Sequence, residues 1–100
     1  MPQPEVIEKI NQLKGMLLHR ISEDGYEHPN QYFDAYRDLR LELSALPEVQ
    51  PTLPHFINEN LDLREFWRFI RRKYPTYEKR QDYIERAFAR TLRLLGVDSE

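Results

Sequence analysis

Asp62-Leu63-Arg64-Glu65-Phe66-Trp67-Arg68-Phe69-Ile70-Arg71-Arg72-Lys73-Tyr74, closed by Pro75, is the stretch that decides the fold. At about 100° per residue, Leu63, Phe66, Trp67, Phe69, Ile70 and Tyr74 share one arc of a helix, and Arg64, Arg68, Arg71 and Arg72 share the opposite one. Asp62 and Glu65 are the residue types of a capping box, an acceptor at the N-cap with a carboxylate three residues on. Proline has no N–H to continue the ladder and ends it. The spacing predicts a helix over 62–74 with its rings in the core and its guanidinium groups outside.

Working outward, Thr76 can cap a further helix over about 77–95, which Gly96 is placed to stop. Tyr77, Ile84, Ala87, Phe88, Thr91, Leu92 and Leu95 form its apolar arc, and Lys79, Arg86, Arg90 and Arg93 its far arc. Arg80 falls beside the apolar arc near Tyr77 and Ile84. Its head group is therefore expected to be partly buried against a carboxylate or carbonyl group, a structural role shared with Trp67 and Tyr77.

Upstream, Leu46-Pro47-Glu48-Val49-Gln50-Pro51-Thr52-Leu53-Pro54 is too rich in proline for one helix. It reads as a connector into a short helix at 53–59 with Phe56 and Ile57 inward. Before it, a helix over about 29–45 presents Tyr32, Phe33, Tyr36, Leu39, Leu43 and Leu46 on one face. Asp34, Asp38 and Glu42, four apart, make an acidic stripe on another, and like charges at that spacing repel. A first helix over about 5–21 carries Val6, Ile10, Leu13, Leu17 and Ile21 at helical spacing. It contains Gly15, which costs about 1 kcal/mol relative to alanine, and close packing against a neighbour is the expected reason. Ser22-Glu23-Asp24-Gly25 reads as a stop and turn. The prediction is an all-α fold, a compact bundle of four long helices plus one short helix, in a single domain spanning residues 1–100.

The charges are sorted along the chain. Residues 1–63 carry five basic against eleven acidic residues, and residues 64–93 carry ten basic against four acidic, with Asp98 and Glu100 beyond them. A net charge of −2 thus conceals two opposed regions, a property that acts on association and steering. The acidic stripe and the basic surface of Arg64, Arg68, Arg71, Arg72, Arg86, Arg90 and Arg93 are candidate partner-binding faces. Each also fits a simple solvated face.

The residue inventory excludes several chemistries. There is no cysteine, hence no disulfide, thiolate zinc site or thiol nucleophile. Serine occurs only at 22, 44 and 99, and Gly15, Gly25 and Gly96 are isolated, so neither a nucleophile beside a base nor a phosphate-binding loop is visible. His19 and Glu23, four apart, lack a third metal ligand. No catalytic residue, cofactor, metal or small-molecule substrate is expected. The N-terminus lacks a basic segment leading into an apolar run, and no stretch approaches a membrane span; a soluble, cytoplasmic chain without membrane partners is the expectation.

Tyr36-x-x-Leu39-Arg40-x-x-Leu43, Leu53-Pro54-x-Phe56, Phe66-Trp67-x-Phe69-Ile70, Tyr77-x-x-Arg80, Tyr83-Ile84 and Phe88, in that order, resemble the small helical N-terminal modules of bacterial abortive-infection and related conflict proteins, the effector-associated class. The likeness spans about residues 30–95. It implies a non-enzymatic adaptor that recruits or assembles partners, a same-type domain or a fused or associated effector, through helix faces; it brings no catalytic residues. The chain stops soon after its last helix, which fits either an excised domain or a standalone adaptor. The alternative function is a nucleic-acid-binding module using the arginines of the last two helices, although the predicted burial of the rings removes base stacking from that reading.

Overall fold

The computed structural model describes residues 3–97, and all of their regular structure is helical. The elements are α1 (Pro4–Ile21), α2 (Glu23–Glu27), α3 (Phe33–Ser44), a 3₁₀ turn (Gln50–Thr52), α4 (His55–Glu59), α5 (Leu63–Lys73) and α6 (Tyr77–Leu94). The four long helices of the all-α prediction are present. The tail residues Asp98 and Glu100 lie outside the described residues.

The central element is α1, whose Ile10, Leu13 and Leu17 are fully buried. It packs along α6 most extensively and also against α2, α3 and α5. Tyr36, Leu39 and Leu43 of α3, Leu63, Phe66 and Ile70 of α5, and Ile84 and Phe88 of α6 close the same core. These are the residues that helical periodicity assigns to it, because only one stripe of each helix can leave water.

The connector between α3 and α5 supplies the aromatic centre. Phe56 of α4, 2% exposed, stacks on Phe69 at 5.8 Å and meets Phe66, Tyr83 and Phe88 at 5.7, 5.5 and 6.5 Å between ring centroids. Burying one such ring contributes about 1.5–3 kcal/mol, and each well-placed ring pair about 0.5–1.5 kcal/mol more. Leu53 and Pro54 are buried beside it. Across this layer, Thr91 of α6 donates its hydroxyl to the Thr52 carbonyl at 2.7 Å, fixing the proline-rich connector to the last helix.

Three local expectations change. The Ser22–Gly25 segment is not a plain turn: Ser22 Oγ accepts from Gly25 N–H at 3.2 Å and starts α2. Helix α3 begins at Phe33 rather than near Pro29, because residues 29–32 are held in turns by Gln31 N–H on His28 C=O and Phe33 N–H on Asn30 C=O. Gly15 is exposed with nothing within 4 Å of a Cβ placed there, so close packing does not explain it. The glycine that close packing requires is Gly25, where a Cβ would stand 1.9 Å from the His19 carbonyl oxygen and 2.7 Å from Arg20 Cα.

The helix ends otherwise follow their capping chemistry. Asp62 Oδ1 accepts from Glu65 N–H at 2.9 Å, while the Glu65 carboxylate reaches back to Leu61 N–H at 2.7 Å, one residue before the usual box partner. Thr76 Oγ1 accepts from Lys79 N–H. Gly96, at φ +84°, ends α6 with Gly96 N–H on Arg93 C=O and Val97 N–H on Leu92 C=O, the paired bonds of a Schellman stop.

Candidate functional site

The acidic stripe is exposed as expected, but its charge is answered within the chain. Arg37 places Nη2 3.5 Å from Asp34 Oδ1 and Nε 3.7 Å from Asp38 Oδ1. Lys9, reaching across from α1, pairs with Glu42. Two cations inserted among three carboxylates cut the charge of the stripe from three negative charges to one.

The basic surface behaves differently. Arg64, Arg68, Arg71 and Arg72 of α5 and Arg90 and Arg93 of α6 are exposed, and none is paired with a carboxylate of a described residue. Arg86 is the exception, bound to Asp82 one turn earlier at 3.0 Å. Helices α5 and α6 meet near the Pro75 corner through their rings and not through these exposed arginines: Phe69 and Tyr83 lie 6.2 Å apart, and Lys73 Nζ stands 5.5 Å over the Tyr83 ring. A shallow depression of about 480 Å³ is lined by Arg68, Phe69, Arg72 and Lys73 together with Glu59, Asn60 and Glu65.

Arg80 is half-buried and has a carbonyl partner. Its Nε donates to the Tyr74 carbonyl at 2.8 Å, bridging the break between α5 and α6, and its guanidinium carbon lies 5.1 Å from the Trp67 ring centroid. A second guanidinium, that of Arg20, lies 4.6 Å from the same ring. Arg20 is 8% exposed, donates to Gly25 C=O at 3.3 Å, and desolvation lowers its pKa from the ordinary arginine value. Trp67 itself is only half-buried.

Tyr77 departs from its core assignment. Its helical phase is correct for burial, yet it is 43% exposed, because the first residue of α6 overhangs the neighbouring helices. It joins Ile21, Ser22, Tyr26, Trp67 and Arg80 around an open cleft of about 740 Å³ between α2 and the α5–α6 corner, with Glu23 and Asp24 on the rim. Sequence reasoning misses this cleft. Tyr26, 75% exposed, is the one signal that could have pointed to it: a large aromatic side chain within a short polar segment.

His19 does not pair with Glu23. Its Nε2 lies 2.6 Å from Asp24 Oδ2, while the ring packs edge-on to Tyr32 at 4.9 Å, and His28 Nε2 is 4.0 Å from Asp24 Oδ1. Among the described residues no group of three or more histidine and carboxylate side chains is placed to hold a metal ion, and no helix is long and apolar enough to cross a membrane. No family model, no curated protein and no solved structure matches the chain.

Proposed function

We propose that the chain is a non-enzymatic protein-interaction domain whose uncompensated arginine surface receives an acidic partner. The observation that carries this reading is the asymmetry between the two candidate faces. Asp34, Asp38 and Glu42 are matched by Arg37 and Lys9, whereas Arg64, Arg68, Arg71 and Arg72 stand without carboxylate partners among the described residues. Four guanidinium groups on one helix cost mutual repulsion, which an incoming carboxylate relieves. The two-faced, charge-complementary contact expected from sequence is thereby narrowed to one face. The recruitment role in a bacterial defence system rests on the resemblance to effector-associated modules.

Nucleic acid is the competing partner for the same arginines. The rings between them argue against it: Phe66 is fully buried and Phe69 is stacked on Phe56, so neither can stack on a base. The discriminating experiment titrates the protein with an acidic peptide and with single-stranded RNA and DNA of similar length, at about 0.05 M and about 0.5 M salt. The reading requires peptide binding that weakens with salt and is lost in Arg64→Glu/Arg68→Glu. Tighter binding of nucleic acid than of peptide, with a steep salt slope, would replace it.

A further inference from the structure

We infer that the cleft between α2 and the α5–α6 corner holds the anchor side chain of the partner: one aromatic or long aliphatic residue, carried on a peptide segment with carboxylates next to it. This deepens the proposed function and rests on it. The walls are Tyr26, Trp67, Tyr77 and Ile21, and the volume of about 740 Å³ accommodates a large side chain with its flanking backbone. Pockets that take a ligand combine apolar walls with a few directed polar groups, and both are present.

The polar groups select an acidic segment. Arg80 uses Nε on the Tyr74 carbonyl, and no described residue accepts from its terminal amino groups, nor from the Trp67 indole N–H. The cleft therefore offers two kinds of unused donor and an extended guanidinium fork suited to a carboxylate. Arg64 and Arg71 stand three residues before and four residues after Trp67 on α5, one helical turn to either side; neither lines the cleft, whose own guanidinium is that of Arg80, and both are within a turn of the segment that would flank the anchor. On the rim, Asp24 is engaged by His19, leaving Glu23 as the one carboxylate there without a partner among the described residues.

Three aromatic residues in one cleft also suggest a cage for a cation. The charges beneath the cage oppose that occupant. Arg20 and Arg80 already lie within 4.6 and 5.1 Å of the Trp67 ring, so a third positive group would meet both. An anchor without positive charge meets neither objection, and its neighbouring carboxylate is attracted by both.

Trp67 is the sole tryptophan and reports on its own surroundings by fluorescence. Three short synthetic peptides are titrated into the full chain: an acidic peptide with a central leucine or phenylalanine, the same peptide with glycine in place of the anchor, and one with the anchor between lysines. The anchored acidic peptide is expected to bind about tenfold or more tighter than its glycine counterpart and to shift Trp67 emission. Tyr26→Ala and Tyr77→Ala should erase that advantage while leaving the glycine peptide unchanged, and Arg64→Glu/Arg71→Glu should weaken both. Equal binding of the two acidic peptides with unchanged emission would overturn the cleft and leave the arginine surface standing. No binding by either would remove the surface reading itself. Preference for the lysine-flanked peptide would make the cleft a cation cage, and emission that changes on simple dilution would make its occupant a second copy of this chain; either result overturns the proposal.

Discussion

Gly15, in the interior of α1, and Gly25, in α2, should respond to the same substitution with opposite signs. In Gly25→Ala the new methyl group would stand 1.9 Å from the His19 oxygen and 2.7 Å from Arg20 Cα, both backbone atoms. Ordinary contact needs about 3.5 Å, so α2 must retreat by about 1.5 Å. The retreat stretches the Ser22 cap on Gly25 N–H, now 3.2 Å, and the Arg20 bond to Gly25 C=O, now 3.3 Å. Losing the cap costs about 1 kcal/mol and losing the second bond about 1 kcal/mol or somewhat more. The gain in helix propensity returns at most about 1 kcal/mol. With residual strain included, the net destabilisation is about 1.5–3 kcal/mol, and Tm falls by about 7–15 °C. Gly15→Ala meets nothing within 4 Å and gains the propensity alone, raising Tm by about 2–5 °C. Circular-dichroism melts of the two variants beside the parent measure both. A Gly25→Ala melt within about 2 °C of the parent would refute the placement of α2 against the end of α1, and a lowered Tm in Gly15→Ala would refute the open surroundings of Gly15.

Other substitutions test other joints. Thr91→Val removes the donor to the Thr52 carbonyl and leaves a buried acceptor unmatched; unfolding in denaturant should show a loss of about 1–3 kcal/mol. Phe56→Ala empties the centre of the ring layer and should cost about 3–5 kcal/mol by the same measurement. Arg80→Ala loses the bond to Tyr74 C=O and should lower stability by about 1–2 kcal/mol; unchanged stability with altered binding would deny its structural role. Tyr36 tests the alkaline side. Its buried hydroxyl has no partner, and its pKa is raised, by burial first and by Asp62 secondarily, against an opposing pull from Arg40. The folded chain therefore holds this proton after the unfolded chain has released it. Its stabilising share is complete below about pH 10 and declines as pH rises beyond. Tyr36→Phe should be neutral or slightly stabilising at pH 7 and should lose less stability than the parent above about pH 10, as read from urea midpoints across that range.

What could be read without coordinates was whatever repeats along a helix. Ile10, Leu13 and Leu17, Tyr36, Leu39 and Leu43, and Phe66 and Ile70 are all buried, because a helix has one face to hide and its period is fixed. Arg80 was legible for the same reason: its phase put a cation beside apolar neighbours. Tyr77 was misplaced because phase says which way a residue faces and nothing about whether a neighbour extends far enough to cover it. The acidic stripe was correctly located, but its compensation by Lys9 crosses from α1 to α3, a pairing no local pattern encodes. The cleft joins residues from the end of α1, from α2, from α5 and from α6. Its existence depends on how two chain corners meet, which is set by the whole core.

The pairing of α1 with α6 has a kinetic consequence. The first and last helices of the bundle are each other's most extensive neighbours, so α1 gains the largest single share of its cover from residues about seventy positions downstream. Closing so long a loop precedes any reward from that contact, so this pairing forms more slowly than the contacts between neighbouring helices. During synthesis α1 emerges first and can be covered in part by α2, α3 and α5, but its seam with α6 stays open until α6 has left the ribosome. Folding therefore completes late, and a chain shortened within α6 would keep most of its helical sequence while leaving one side of α1 a sticky, uncovered surface open to aggregation.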